Sequence, residues 1–251
     1  QIDLEHLEAE LLAHADRPLR IGSFSAASNV TGLLSDTRAV TQLLHRHDAL
    51  ACWDFAAAGP YLDIDMDDES APKDAVFLSP HKFIGGPGTP GVLAVRRGLV
   101  HNTVPVVPGG GTVAFVTPHR HAYLSDVEHR EEGGTPAIVE SIRAGLVFQL
   151  KEAVGVATIA APEEDLLRRA VTAWEAEPAI QILGNLDARR LSIVSFVIRG
   201  PSGKYLHHNF VVALLNDLCG IQTRAGCSCA GPYGHRLLGI DLERSHAFEA
   251  Q

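Results

Sequence analysis

Cysteine, tryptophan and methionine are scarce in this sequence. Its 251 residues include four cysteines, two tryptophans and one methionine. Four cysteines in a chain of this length, two of them in the run Cys227-Ser228-Cys229, do not make a disulfide framework. This argues against a small secreted scaffold. We therefore expect the protein to work in a reducing compartment, the cytoplasm.

Long apolar runs and an excess of positive charge are absent as well. No apolar run is long enough to span a bilayer. The formal net charge of -9 argues against nucleic acid or an anionic membrane as the main partner. The sequence does have 46% hydrophobic residues, enough for a substantial core in one large domain or two unequal ones.

The first part of the chain alternates between strand and helix patterns. Residues 20–25 resemble a strand, Ser35 could cap a helix through His47, and residues 49–53 form an apolar strand that ends in Asp54. This rhythm predicts a βαβ unit and a parallel sheet, whose site lies at the carboxyl ends of the strands. Two later runs, residues 101–107 and 191–198, are also rich in β-forming residues.

The stretch from Asp74 to Arg96 is the most informative part of the sequence. A short apolar run, Ala75–Leu78, is typical of a strand buried on both faces, and it leads directly into Ser79-Pro80-His81-Lys82. A glycine- and proline-rich turn follows, and then a second apolar run, Val92–Val95. A lysine at the mouth of a strand can form a Schiff base, while the hydroxyl and imidazole can bind phosphate. The alternative is an ordinary surface lysine in a loop.

The Ser-x-His-Lys run and its turn resemble the pyridoxal-phosphate lysine motif of the class V aminotransferases. Within that family the motif is most similar to the cysteine desulfurase and selenocysteine lyase branch. The resemblance implies that Lys82 carries the cofactor as an internal aldimine and that Ser79 and His81 hold its phosphate. It also implies pyridoxal 5'-phosphate as cofactor, an amino acid as substrate, and a homodimer.

Asp54 supplies the carboxylate that this motif requires. At the end of a predicted strand it can keep the pyridine nitrogen of the cofactor protonated, although such an aspartate is otherwise a turn or helix cap. The desulfurases usually continue with Asp-Gly-Ala-Gln-x-x-x-His, whereas this chain has Ala57 and Tyr61 at the glutamine and histidine positions. Ala57 cannot hydrogen-bond the phenolic oxygen of the cofactor.

Two further residues receive roles from the resemblance. Asn29 lies in a Ser-Asn-Val-x-Gly run, which the family places near the substrate carboxylate; a turn asparagine before Gly32 is the alternative. Thr135 lies in a Glu-x-Gly-Thr-Pro run, whose threonine reaches the cofactor phosphate of the partner subunit in the family. By itself, Thr135 could cap a helix with Pro136 in its first turn. The apolar stripe of that helix consists of Ile138, Ile142, Leu146 and Leu150.

A second motif spans residues 223–232 and resembles the desulfurase loop Arg-x-Gly-x-x-Cys-Ala-x-Pro. The resemblance makes Cys229 the sulfur-accepting cysteine and Arg224 a substrate-binding residue, and Cys227 falls where the loop commonly has a histidine. A thiolate near a cationic cofactor is a competent nucleophile. The alternatives are a structural turn and a metal site using Cys227, Cys229 and His235, whose spacing is weak for zinc.

The resemblance implies an α/β fold, the large domain of the fold-type I pyridoxal-phosphate enzymes (aspartate aminotransferase-like). We expect a mainly parallel sheet with flanking helices in residues 1–157 and part of a smaller α+β domain in residues 158–251. We also expect the chain to be part of a longer protein. The predicted function is a cysteine desulfurase-like or selenocysteine lyase-like enzyme. A class V aminotransferase, epimerase or carbon–sulfur lyase stays open, as does a non-catalytic homologue or incomplete fragment.

Overall fold

The structure is a computed structural model that describes residues 2–226 and 228–249; Cys227 lies outside them. The helices in the described part of the chain are α1 Leu4–Ala13, α2 Thr37–Arg46, α3 Val127–Glu131, α4 Ile138–Val154, α5 Val156–Glu175, α6 His208–Cys219, α7 Gly231–Leu238 and α8 Leu242–Glu249. The strands are β1 Ile21–Ser25, β2 Leu50–Asp54, β3 Ala75–Leu78, β4 Val92–Val95, β5 Val113–Val116, β6 His121–Tyr123, β7 Ile180–Ile182 and β8 Phe196–Ile198.

The chain divides into two compact units. The larger unit consists of Ile2–Ala26 and Asp36–Val156. The smaller unit consists of Ala27–Ser35 and of the chain from Ala157 onwards. The division into domains 1–157 and 158–251 that the sequence suggests stays a prediction.

A four-stranded sheet in the order β1-β2-β3-β4 organises the larger unit. The first three strands run parallel and β4 pairs with β3 in the antiparallel direction. The mainly parallel sheet expected from the βαβ rhythm is therefore confirmed. The intervening helix α2 begins one residue later than the sequence suggested, because Asp36 and not Ser35 caps it: the Asp36 side chain accepts the Ala39 N–H at 2.9 Å.

The core of the larger unit lies between α2 and this sheet. Trp53 of β2 is completely buried, and its indole N–H donates to the Thr41 hydroxyl of α2 at 2.9 Å. Val40 and Leu44 of α2 are buried beside it, together with Val76 of β3. Because the indole N–H has a buried acceptor, this large side chain fills the core without an unsatisfied polar group.

The smaller unit contains the antiparallel hairpin β7–β8 and the helices that follow it. The segment Ala27–Ser35 belongs to this unit, since Leu33 forms a β-bridge with Arg190 and the Leu34 N–H donates to the Arg189 carbonyl at 2.9 Å. In this way a short stretch between β1 and α2 joins residues far along the chain.

Several local expectations are wrong. Residues 101–107 form no strand, because Pro105 lacks the N–H that a ladder needs, and the hairpin β5–β6 follows instead. The run 191–198 is a strand only from Phe196, since the Leu191 N–H donates to the Gly32 carbonyl. Phe77 of β3 is 44% exposed, so this strand is not buried on both faces within the described chain.

Helix α4 forms where its periodicity predicts it, but it buries other residues than the apolar stripe. Ala144 and Val147 are buried, whereas the stripe is half exposed in the described structure, at Ile138, Ile142, Leu146 and Leu150. Within residues 2–226 and 228–249, no single helix is long and apolar enough to cross a membrane. Helices α4 and α5 pass that test only when taken together, on length and composition alone.

Candidate cofactor site and cysteine loop

Lys82 ends a single turn of 3₁₀ helix, Pro80–Lys82, that follows directly on β3. Proline suits the first position of this turn, because its fixed φ and missing N–H cost nothing there. The Lys82 N–H donates to the Ser79 carbonyl at 3.0 Å and so closes the turn. His81 and Lys82 are exposed and Ser79 is half-buried, and none of the three side chains has a hydrogen-bond or ion-pair partner among the described residues. All three polar groups are therefore available to a ligand.

The glycine-rich turn packs directly against the turn that carries Lys82. A Cβ atom on Gly86 would lie 1.9 Å from the Pro80 carbonyl oxygen, so that only glycine fits there. Gly85 and Gly88 have φ values of +82° and +84°, a region that side chains rarely adopt. The Thr89 hydroxyl donates to the Gly86 carbonyl at 2.7 Å. The shape of this turn thus fixes the backbone of Pro80–Lys82 from behind.

Helix α4 supports the same turn from a second side. Phe148 packs edge-on against Phe83, with ring centroids 5.1 Å apart, and Arg143 Nη1 donates to the Pro87 carbonyl at 2.9 Å. The Lys151 ammonium donates to the Leu62 carbonyl and lies 5.9 Å from the centre of the Phe83 ring. Burial lowers the pKa of Lys151. Lys82 therefore projects from a backbone that the rest of the unit holds in place.

Asp54 lies at the same sheet edge as the lysine turn. It is the last residue of β2, and the parallel register places it opposite Phe77, just before β3 ends. Its Oδ1 accepts the Ala56 N–H at 2.7 Å, the turn cap that the sequence left open as an alternative. The second carboxylate oxygen makes no hydrogen bond within the described part of the chain. Capping the turn therefore leaves one oxygen for a ligand.

Thr135 does not cap α4, and that prediction is wrong. The N-cap is Ala137, two residues later, and no side chain bonds the free N–H groups of the first turn. Thr135 is exposed and has no hydrogen-bond partner among the described residues. The loop that carries it is held by the Gly134 N–H, which donates to the Gly110 carbonyl at 2.9 Å. Its role toward a partner's cofactor stays a prediction.

A cavity of about 540 Å³ in the larger unit is separate from the lysine turn. Its walls are mainly apolar and include Met66, Val76 and Phe148, with Lys151 among the polar groups. Neither Asp54 nor Lys82 lines it.

The cysteine loop lies in the smaller unit, where it leads into α7. Cys229 is exposed and has φ 60°, and Arg224 Nη2 donates to its Sγ at 3.2 Å. The Asn29 side-chain amide donates to the Ser228 carbonyl at 2.6 Å. The structure therefore brings together Asn29, Arg224 and Cys229, three residues that sequence motifs had singled out. Cys227 lies outside the described residues, and within these no group of three acidic, histidine or cysteine side chains could hold a metal ion.

Three residues of the smaller unit escaped sequence analysis. Thr31 and Tyr233 contact each other through their hydroxyl groups, and Arg190 lies close enough to Tyr233 for their charges to interact. No motif marks them, because the contact joins residues that are 202 positions apart.

The lysine turn and Asp54 form a set of groups that fits pyridoxal phosphate. An amine can react with an aldehyde, a hydroxyl and an imidazole can bind phosphate, and a carboxylate can pair with a pyridine nitrogen. All these groups lie at the carboxyl edge of the parallel strands β2 and β3. This fold and this set of groups define the class of fold-type I pyridoxal-phosphate enzymes.

Comparison with known proteins identifies the family within that class. The profile described as "Aminotransferase class-V" matches residues 1–241. The chain therefore belongs to the class V aminotransferase family, whose members depend on pyridoxal phosphate. A cysteine desulfurase of Synechococcus elongatus is 29% identical over 218 residues, 87% of this chain and 33% of that protein. A probable cysteine desulfurase of Staphylococcus aureus is 30% identical over 85% of this chain and 49% of its own length.

Solved structures give the same fold. A cysteine desulfurase from Escherichia coli matches with a TM-score of 0.78 and 25% identity, over 92% of this chain and 55% of its own. The apo cysteine desulfurase of Thermococcus onnurineus NA1 matches with a TM-score of 0.79 at 23% identity, over 99% of this chain and 61% of its own. The chain thus spans about a third to a half of these two curated relatives and rather more than half of these solved chains.

Proposed function

We propose that the full-length protein is a pyridoxal-phosphate enzyme that removes sulfur from L-cysteine and accepts it on Cys229. The observation that carries this proposal is the cysteine loop: an exposed thiol, with the Arg224 guanidinium on its sulfur, in a chain whose relatives are named cysteine desulfurases. A buried structural cysteine would not be presented in this way.

The lysine turn supplies the proposed cofactor site. Lys82 would bind the aldehyde of the cofactor covalently, Ser79 and His81 would hold its phosphate, and the second carboxylate oxygen of Asp54 would pair with the pyridine nitrogen. Bound pyridoxal phosphate withdraws electrons from the α-carbon of an amino acid. Thr135 contributes to the phosphate site of a partner subunit in a homodimer.

Two side chains carry the chemical steps. The Lys82 amine would take up the proton of the substrate α-carbon. The Cys229 thiolate then attacks the substrate sulfur, so that an S–S bond forms while the C–S bond breaks. The electron pair of the broken bond goes to the substrate β-carbon. Protonation of that carbon, and return of the proton from Lys82 to the α-carbon, give alanine. This leaves a persulfide on Cys229 and requires no external oxidant.

A second candidate, in which Cys229 takes no part, is favoured by one departure from the desulfurase pattern. The half-buried Ala57 stands where the family has a glutamine and has no group to bond the phenolic oxygen of the cofactor. An aminotransferase, an epimerase or a carbon–sulfur lyase would need no sulfur acceptor.

The deciding experiment uses the full-length protein loaded with pyridoxal phosphate. Borohydride should fix the cofactor on Lys82, and no adduct should form on Lys82→Ala. With L-cysteine, Cys229→Ser should lose both the persulfide and sulfide release while keeping the absorbance band of the bound cofactor. Cys219→Ser is the matched control, because Cys219 is an exposed cysteine at the end of α6 and outside the loop.

Each result points to one reading. Loss of turnover in Cys229→Ser but not in Cys219→Ser supports the proposal. Equal turnover in both variants contradicts sulfur transfer through Cys229 and favours the second candidate. Absence of a borohydride adduct on the wild-type protein would contradict the cofactor assignment and leave a non-catalytic homologue.

A further inference from the structure

The segment Ala27–Ser35 holds the loop of Cys229 at two points. Asn29 donates to the Ser228 carbonyl at 2.6 Å, immediately before the cysteine. Thr31 Oγ1 lies 3.3 Å from the Tyr233 hydroxyl, four residues after it. The cysteine is thus bracketed by side chains from a segment that is about two hundred residues away in the sequence.

The Thr31 end of the second contact is rigid. Thr31 is fully buried, and its N–H donates to the Ser28 hydroxyl at 3.1 Å. Gly184 packs closely against the Thr31 side chain. A Cβ atom added to Gly184 would lie only 3.1 Å from the Thr31 Cβ. Because this hydroxyl cannot move freely, it offers a fixed partner to a residue on α7.

Tyr233 lies near the Arg190 guanidinium, two of whose nitrogen atoms have no hydrogen-bond acceptor among the described residues. Arg190 Nη2 donates to the Asn185 carbonyl at 2.8 Å, but Nε and Nη1 are buried without a hydrogen-bond partner among the described residues. Burial lowers the pKa of Arg190, and the neighbouring Tyr233 opposes that shift. The phenolic oxygen thus interacts electrostatically with the guanidinium, and either hydroxyl of the Thr31–Tyr233 contact can donate to the other.

Cys229 needs such support because of its backbone. Its φ of 60° is a conformation that residues with a side chain seldom adopt and that persists only where surrounding contacts enforce it. The Ser228 carbonyl is fixed on one side of it and Tyr233, in the first turn of α7, on the other. Loosening either contact would let Cys229 relax and carry its Sγ away from Arg224.

We propose that Thr31 and Tyr233 form a positioning pair that holds Cys229 in its strained conformation and so aims its thiol for sulfur transfer. The proposal rests on the function proposed above. It adds two positioning residues that act on Cys229 through the backbone of its loop.

The test compares hydroxyl deletions in the full-length holoenzyme. Thr31→Val and Tyr233→Phe each remove one side of the contact with little change in shape. Amide hydrogen exchange in the peptides of residues 223–238 should become about threefold to tenfold faster in both. The double variant should be no faster than either single one, because the two residues share one interaction. Thr41→Val, which removes a buried hydroxyl from the core of the larger unit, should leave exchange in these peptides unchanged.

Kinetics separate positioning from plain stability. With L-cysteine, kcat for persulfide formation should fall by about threefold to tenfold in Thr31→Val and Tyr233→Phe, while KM stays within about twofold. Thr31→Ser, which keeps the hydroxyl, should restore both kcat and the wild-type exchange rate. Thr41→Val should keep the kcat of the wild type.

The outcomes distinguish the two proposals. Unchanged exchange in both deletions, or faster exchange with unchanged kcat, would overturn the positioning pair. A kcat deficit that Thr31→Ser does not restore would also overturn it. If the wild-type holoenzyme forms no persulfide, sulfur transfer through Cys229 is refuted. The proposed role of Thr31 and Tyr233 in aiming the thiol is then refuted as well. The hydrogen-exchange rates still decide whether the two residues hold the loop.

Discussion

The close packing of Gly86 against the Pro80–Lys82 turn predicts that one added methyl group, in Gly86→Ala, will strongly reduce stability and activity. In Gly86→Ala the new Cβ would lie 1.9 Å from the Pro80 carbonyl oxygen and 2.9 Å from its carbon, whereas real Cβ atoms essentially never come closer than 3.0 Å. One backbone must therefore yield by about 1 Å. The Gly86 side has little freedom, because its N–H donates to Phe83 and its carbonyl accepts from Thr89.

Two magnitudes follow from that displacement. Overpacking of this kind costs about 1–3 kcal/mol in the free energy of unfolding. If the Pro80–Lys82 turn moves by about 1 Å, the misplaced amine is expected to lower kcat by about 100-fold. Gly98→Ala is the matched control, because Gly98 lies in another tight turn of the larger unit, Arg97–Leu99, where a Cβ would meet no atom within 4 Å.

The assay measures both effects in the full-length protein. Urea unfolding should give a loss of about 1–3 kcal/mol for Gly86→Ala and a change within about 0.5 kcal/mol for Gly98→Ala. Turnover of L-cysteine and borohydride fixation of the cofactor should be impaired only in Gly86→Ala. If the two variants are indistinguishable in stability and turnover, the glycine-rich turn does not position Lys82.

The other end of the sheet provides two further predictions. Asp74→Ala should lower the free energy of unfolding, measured with urea, by about 1–3 kcal/mol. The reason is that the buried Ala51 N–H, which donates to Asp74 Oδ2 at 2.7 Å, would lose its acceptor. An unchanged free energy of unfolding would contradict this. Burial, and secondarily the charge of Asp74, raise the pKa of the Cys52 thiol. Asp74→Asn should therefore lower that pKa and shift the pH profile of iodoacetamide labelling at Cys52 to lower pH, and an unmoved profile would count against the assigned cause.

The sequence by itself determined the family and the frame of the fold. Strands β3 and β4 have the predicted bounds, because continuous apolar runs between turn residues leave few alternatives. The parallel arrangement followed from the strand–helix–strand rhythm, which also predicted that Asp54 and the lysine turn lie at one sheet edge. The roles of Lys82, Cys229 and the other motif residues stay predictions, since no comparison tests them.

Local sequence patterns predicted the secondary structure less well where prolines or helix capping decided it. The run 101–107 has the composition of a strand, yet Pro105 removes a ladder hydrogen bond. Thr135 and Pro136 have the composition of a helix start, yet α4 begins at Ile138. In both cases the backbone geometry of the whole segment overrides the secondary-structure propensity of a few residues.

Only the tertiary structure decided how the cysteine loop is held. The motif at residues 223–232 identifies Cys229 but says nothing about its φ of 60° or about Asn29 as an anchor of the preceding carbonyl. The pairing of Thr31 with Tyr233 likewise joins positions 202 residues apart. Periodicity and motifs report on neighbours in sequence, whereas a contact of this kind exists only after the chain has folded back on itself, so no local pattern contains it.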